Sequence, residues 1–423
     1  MTTTVTDVDL LDLDRWAADG PPFDWFAAKR AEAPVWKHPG RDGSPGFWVV
    51  SGHEEVTALG RCPHVLSSDD EVGGVTGLGP GDELQEAFDA MAAETGAVGA
   101  GFGNDAKMLL TLDPPEHTAN RKVLNRAFTP ASITALEPSI RDLAIELLDA
   151  QQPGEAFDLT TEIAMPLPMQ VIGDLLGAPR DTHRDLLRWS NAAVAGSDPE
   201  YASVMPSLEA VFHLVGLFAS IRQAREAQAE DDLVSRLLAG TVGGEPLPDV
   251  RYVMYLLLLV TAGNETTRNA MSHGVAAFAD HPEQWQRLRE DRSLLPSAVE
   301  EVLRWASPLL YFRRNAVAEM TVADATIEPG DLVSLWYVSA NRDETVFPDP
   351  TTFDIGRDAS RHVAFGGGGP HFCLGASLAR LEVQVLLEEM LERYERIERV
   401  GELVRLRSNF LNGVKHLPVR LHA

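Results

Sequence analysis

The sequence predicts a mainly α-helical protein with a few small β-sheets, built as one unit. Three observations predict it. Apolar residues recur at helical spacing through most of residues 116–305 and again after residue 373. Runs with strand character are short and fall near residues 35–50, 312–335 and 403–421. No Gly/Ser-rich or Pro-rich linker divides the 423 residues, and no internal repeat is present. A chain of this length buries a core and still encloses a cofactor.

The elements follow in order. Pro22–Ala33 reads as a short helix, followed by strand-like stretches at Val35–Trp36 and Phe47–Val50. Ser67–Asp105 is polar and glycine-rich, with a helical piece at Glu83–Glu94. A long irregular connection of this kind suits an active-site lid. Helices are predicted at Glu116–Arg126, Ile140–Ala150, Thr160–Leu176, Asp181–Ala195, Pro206–Gln228, Asp231–Leu238, Pro248–Ala279, Pro282–Glu290 and Pro296–Trp305. Asp181 is the candidate N-cap of its helix. Short strands follow between Phe312 and Leu335. The last helix starts after Cys373 and runs to about Arg393, and Leu403–Leu421 reads as a hairpin around Asn412–Gly413.

Composition narrows the function classes. The formal charge of −27 repels nucleic-acid phosphates and anionic membrane surfaces, and it serves solubility. Two cysteines, Cys62 and Cys373, make no disulfide framework and suit a reducing compartment. Met1–Asp14 is acidic and lacks the basic and apolar regions of a signal peptide. The longest apolar run, Val253–Ala262, is interrupted by Asn264 and Glu265. It falls short of the roughly 20 residues of a spanning helix. A cytoplasmic protein binding neither nucleic acid nor membrane is expected.

Four segments carry chemistry. Phe365-Gly366-Gly367-Gly368-Gly369-Pro370-His371-Phe372-Cys373-Leu374-Gly375 places a cysteine just before an apolar helix. The four glycines allow positive φ and a close approach to a flat cofactor. The helix N-terminus favours a thiolate, the form that ligates iron. Ala262-Gly263-Asn264-Glu265-Thr266-Thr267 puts an acid and hydroxyls inside an apolar helix, which is costly unless they are used or satisfied. Glycine there costs a further ~1 kcal/mol relative to alanine. Glu301 and Arg304 stand three apart on one helical face. His117 and Arg121, four apart in Asp113-Pro114-Pro115-Glu116-His117-Thr118-Ala119-Asn120-Arg121, likewise share one helical face.

Together these segments resemble the cytochrome P450 family, and the resemblance runs from Pro22 to Leu421. It implies the P450 fold, one haem-enclosing unit over residues 1–423, with haem b as cofactor and O2 as co-substrate. In the loop, Cys373 matches the iron ligand, and Gly369, His371 and Gly375 occupy the flanking positions. Phe365 stands eight residues before Cys373, one farther than in the general pattern, and the extra residue lies in the glycine run. By resemblance Gly263 leaves room for dioxygen, Thr266 hydrogen-bonds it and Glu265 passes protons in from solvent. Such chemistry needs two protons delivered without wetting the pocket. Glu301 and Arg304 resemble the Glu-x-x-Arg pair that holds the cysteine loop. The usual third partner is absent, since Thr352 precedes Phe353, which leaves Arg342 or Arg357 to replace it. His117, Arg121, Arg314 and His362 match contacts to the haem propionates, for which arginine is well shaped.

Finer segments, AGNETTRNAMSHG, FGGGGPHFCLG and RLRSNFLNGVKHLP, resemble an actinobacterial group that hydroxylates sterol side chains, methyl-branched lipids and terpenoids. That implies a long apolar substrate, with Leu309, Leu310 and Phe312 lining the pocket and Val260, Ala262 and Leu411 near the iron. No flavin or nicotinamide domain accompanies the motifs, so a ferredoxin and its reductase are the expected electron donors. Arg121, Lys122 and Arg126 form a local basic patch for them. Three alternatives stand beside this reading. A tailoring hydroxylase or epoxidase of polyketides or peptides would share the motifs. A non-catalytic haem carrier would not need the Glu265–Thr266 pair. A peroxide-using enzyme typically replaces that pair.

Overall fold

The computed structural model describes residues 8–41, 46–79, 107–194, 198–202, 204–230 and 232–423. Most of the candidate lid, residues 80–106 with the helical piece Glu83–Glu94, lies outside them. The architecture is mostly helical with small sheets, as the sequence predicts. Helices run over Phe23–Glu32, Glu116–Asn125, Glu137–Asp149, Pro166–Leu175, His183–Val194, Ser207–Ala227, Leu233–Leu238, Asp249–Asp280, Pro282–Glu290, Leu295–Ala306 and Ala376–Arg393. Each lies within a few residues of its expected range, except that the range expected from Thr160 divides into a π-helical turn, Thr160–Ala164, and the helix from Pro166. Proline opens several of them, where its missing N–H costs nothing. Asp232 caps its helix by accepting the Ser235 N–H at 2.8 Å. Asp181 is not such a cap: it lies inside a 3-10 turn, Arg180–Thr182.

Asp249–Asp280 is the axis of the molecule. At 32 residues it extends ~48 Å. From Thr267 to Phe278 it is buried all round, as a helix enclosed on every side must be. Leu295–Ala306, Pro166–Leu175 and Ala376–Arg393 all pack against it. Two apolar clusters divide along it. Ala270, Met271, Val275 and Phe278 join Val302, Leu386 and Met390. Earlier in the helix, Leu256 and Val260 join Ile172, Leu214 and Phe218, with Leu374 of the cysteine loop packed against them.

The main sheet has five strands in the order Val35–His38, Phe47–Val50, Leu332–Trp336, Tyr311–Ala316, Leu66–Ser67. Its two faces are separately covered, by Trp16, Phe26 and Trp336 on one side and by Val56, Leu59 and Val363 on the other. The C-terminal hairpin departs from expectation. Val404–Arg405 pairs with Val414–His416, and Arg405 faces Val414 across a long connection. Asn412–Gly413 is therefore not a two-residue turn. Asn412 instead ties this connection to the Leu295–Ala306 helix, donating Nδ2–H to Ala306 O at 2.6 Å.

Candidate active site

Cys373 stands two residues before Gly375, the N-cap of the Ala376–Arg393 helix. Its backbone N–H donates to Phe365 O at 3.0 Å, closing the loop. The glycine run takes positive φ at Gly366, Gly368 and Gly369 (91°, 100° and 76°). Its closeness serves a protein neighbour rather than a flat cofactor. A Cβ at Gly367 would sit 2.7 Å from Val56 O, and one at Gly369 would sit 2.2 Å from Gly60 O. The glycines therefore let the loop lie on the last turn of the His53–Leu59 helix.

The Cys373 side chain has accessible surface, yet burial among protein atoms is the largest influence on its thiol and pushes the pKa up. Both hold if its open face looks into an interior cleft. The Gly375 N–H and the Arg121 and Arg380 charges pull the other way without prevailing. The helix N-terminus alone does not make a thiolate here; a bound metal ion does so outright.

The central helix also has a stretch with accessible surface. Between buried Val260 and buried Thr267, Ala262 is exposed and Thr261, Gly263 and Thr266 are part-exposed, although the surrounding helix is core. The Thr266 hydroxyl donates to Ala262 O at 2.8 Å, the back-bonding common for mid-helix threonine. Gly263 has a different role from the one expected. A Cβ there would lie 2.2 Å from Ile172 Cδ1, so its smallness lets the Pro166–Leu175 helix close in. Ala262, one turn before Thr266, is the small residue that fronts the open side. Glu265 is 1% exposed and pairs with Arg268 of the same helix. Burial pushes its carboxyl pKa up against that charge. Arg268 in turn donates to Asn191 Oδ1 at 3.1 Å.

Beside the loop lies a cationic cradle. His117 and Arg121 project from the Glu116–Asn125 helix. The His117 ring lies 4.2 Å from that of His371. Arg121 donates to Pro370 O at 3.1 Å and to Phe372 O at 2.6 Å, gripping the loop. Buried Arg314 completes the group, its Nη1 bonded to Arg313 O at 2.7 Å. Burial first, then the nearby arginine charges, push His117 down to about 4 and His371 to about 2. Both imidazoles are neutral and keep a donor N–H. His117 Nδ1 and His371 Nε2 are buried with no hydrogen-bond partner, which is costly unless a ligand supplies one. Two arginines and two unpartnered imidazole nitrogens suit a ligand with two carboxylates, which is what haem presents.

His362 does not belong to this cradle. Its Nε2 meets Glu300 Oε2 at 3.0 Å and its Nδ1 accepts the Ala364 N–H at 3.1 Å, so both ring nitrogens are engaged. Of the expected pocket residues, Leu310 is also redirected. It is 1% exposed and packs with Trp16 and Trp336 on the far side of the sheet, together with Tyr311, the first residue of the strand that follows it. Leu309 bridges to Leu411, and Phe312 lies 5.7 Å from Phe410, so these three stay together. Val260 is wholly buried in the cluster that Leu374 joins.

The third partner of the Glu301–Arg304 pair is Arg357, with Nε 3.5 Å from Glu301 Oε1. Arg342 instead donates to Arg304 O and Trp305 O and lies over the Trp305 ring at 4.4 Å. Three partners went unread in the sequence. Arg268 stands at ion-pair spacing from Glu265. Glu300 and Arg380 have no local signal of their partnership, being 80 residues apart.

A helix-rich fold, a cysteine at the head of an interior helix and a cradle for two carboxylates define the haem-thiolate class. Comparison with known proteins then gives the family. Residues 211–411 match the family model described as Cytochrome P450. The chain is 38% identical to the methyl-branched lipid omega-hydroxylase of Mycobacterium tuberculosis, over 98% of this chain and 95% of that protein. It is 36% identical to the steroid C26-monooxygenase of Mycolicibacterium smegmatis, over 89% and 84%. Among solved structures it resembles the Mycobacterium marinum cytochrome P450 CYP268A2 in complex with pseudoionone, at 32% identity, TM-score 0.85 and 99% and 100% coverage. The chain belongs to the cytochrome P450 family and is one of its monooxygenases. Among the described residues no helix is long and apolar enough to cross a membrane.

Proposed function

We propose that this monooxygenase hydroxylates an unactivated C–H bond of a long apolar molecule of the sterol, branched-lipid or terpenoid kind. One observation carries the reading. The open stretch of the central helix, with Leu258, Leu259, Ala262 and Gly263, is apolar, and its hydroxyls are already bonded to backbone. Thr261 donates to Leu257 O at 2.9 Å and Thr266 to Ala262 O. The hydroxyls there spend their protons on backbone carbonyls and offer a substrate acceptor lone pairs alone, while an apolar molecule is held by burial. The names of the two relatives point the same way.

Haem b, when bound, supplies the iron at which O2 is activated for insertion into the C–H bond. Cys373 would hold that iron, and His117, His371, Arg121 and Arg314 the carboxylates. The chain's own residues then do three things. The apolar face excludes water and positions the substrate. Thr266 presents Oγ1 at that face. Glu265 offers Oε1, which has no hydrogen-bond partner, as the atom that takes up and hands on a proton, while Arg268 occupies Oε2. Thr266→Ala is expected to raise hydrogen peroxide released per electron consumed several-fold; unchanged coupling removes Thr266 from the mechanism.

The proposed electron donor is a ferredoxin served by its reductase. Lys122 and Arg126 are exposed on the helix whose Arg121 grips the cysteine loop. An acidic donor therefore docks beside the sulfur on an otherwise acidic protein. Lys122→Glu is expected to slow reduction by an acidic ferredoxin roughly tenfold at low salt, with the gap closing as ionic strength rises. A salt-independent rate would place the donor elsewhere.

Substrate class is tested by titrating the ferric holoprotein with a cholestenone-type sterol ketone. A saturable blue shift of the Soret band is expected; its absence would remove the sterol reading and leave branched lipids and terpenoids.

A further inference from the structure

Behind the cysteine loop a second carboxylate does work that the Glu301–Arg304 pair does not. Glu300, on Leu295–Ala306, binds two partners at once. It accepts from Arg380 through Nε at 2.6 Å and Nη2 at 2.9 Å, and it meets His362 Nε2 at 3.0 Å. Arg380 belongs to the helix that Cys373 precedes, and its guanidinium lies 4.5 Å from the centre of the Phe365 ring. Phe365 is the residue whose carbonyl takes the Cys373 N–H. Its ring also meets Phe372 at 6.3 Å. A fixed cation is thus stacked on the residue that anchors the ligand loop. Its countercharge comes from a different helix.

Both charges are partly shielded, Glu300 with 23% and Arg380 with 34% of the side chain exposed. His362, with 1%, fills the inner side of the carboxylate. A bidentate arginine–carboxylate pair keeps this geometry far better than a lysine would.

We propose that Glu300 and Arg380 set the reduction potential of the bound haem, with Arg380 acting through Phe365 and Glu300 neutralising it. Glu300 is a positioning residue: it touches neither substrate nor the reacting atoms. The sign follows from Coulomb's law. An uncompensated positive charge beside the sulfur favours the state with one more electron, so loss of the Glu300 charge raises the potential. Loss of the Arg380 charge leaves Glu300 unbalanced and lowers it. A role confined to packing moves both variants the same way or neither.

This rests on Cys373 being the thiolate ligand, so the experiment reads the two separately. The holoprotein is titrated with dithionite and mediator dyes, and the Soret band of the reduced carbon monoxide complex reports the ligand in each variant. Glu300→Gln is expected to shift the potential upward, Arg380→Gln downward, and Glu300→Asp little, all with the thiolate signature intact. Should Glu300→Gln not retain haem, Arg380→Gln against Glu300→Asp decides the sign alone. Equal potentials, or shifts of the same sign, with the signature intact overturn the tuning role. A signature absent from the unsubstituted protein itself overturns the ligand assignment instead.

Discussion

Replacing Cys373 by serine is expected to lower monooxygenase turnover by at least about two orders of magnitude, with little change in fold. The local geometry separates the two effects. The loop is held by backbone: the Cys373 N–H reaches Phe365 O, and Arg121 grips Pro370 O and Phe372 O. The glycine run seats it on the last turn of the His53–Leu59 helix. None of these contacts uses the sulfur. The side chain faces open space, and serine is nearly its size, so the stability of the haem-free chain should change by no more than about 0.5 kcal/mol. Chemistry fares differently, because a hydroxyl is a far poorer anion and electron donor than a thiolate. The spectrum decides: the red-shifted Soret band that a thiolate gives the reduced carbon monoxide complex should vanish in the serine variant. A band that persists would mean that another residue holds the iron.

The chemistry was more legible in the sequence than the directions of side chains. The candidate ligand cysteine, its flanking glycines and the helix after it form one continuous string, so their meaning is local. Helical periodicity likewise placed Asp249–Asp280 and Ala376–Arg393 within a residue or so. What failed was the choice of neighbour. Gly263 is expected to leave room for dioxygen and the loop glycines to let a flat cofactor come close, but a Cβ there would meet Ile172, Val56 or Gly60. His362 stands near the cysteine in sequence, yet Glu300 had claimed it. Leu310 is expected in the pocket, yet it joins Tyr311 against Trp16 and Trp336 on the other face of the sheet. Each error has one cause. Residue type reports what a side chain can do, and only tertiary packing reports what stands within 4 Å of it.

The buried pair behind the loop yields the largest stability effect. Glu301 and Arg304 side chains are both 0% exposed. Arg304 donates to Glu301 through Nε at 2.7 Å and Nη2 at 2.8 Å, and its Nη1 reaches Asn341 O at 2.8 Å and Pro350 O at 3.0 Å. Glu301 also accepts the Asp354 N–H at 3.0 Å. The pair thus gathers the irregular stretch 341–354, which leads directly into the cysteine loop. Arg304→Met leaves Glu301 charged and buried with only a backbone N–H and the more distant Arg357. A cost of about 3–5 kcal/mol is expected, a large part of the ~5–15 kcal/mol that holds a typical native protein together. Adding Glu301→Leu removes the stranded charge and should recover part of the loss. It cannot recover all of it, because the carbonyls of Asn341 and Pro350 still lack their donor. The midpoint of urea unfolding measures all three proteins. Because the pair is sealed from solvent, the loss should be the same at low and high salt, unlike any effect of the part-exposed Glu300–Arg380 pair. An Arg304→Met protein within about 1 kcal/mol of the parent would show that the stretch is held by its backbone alone.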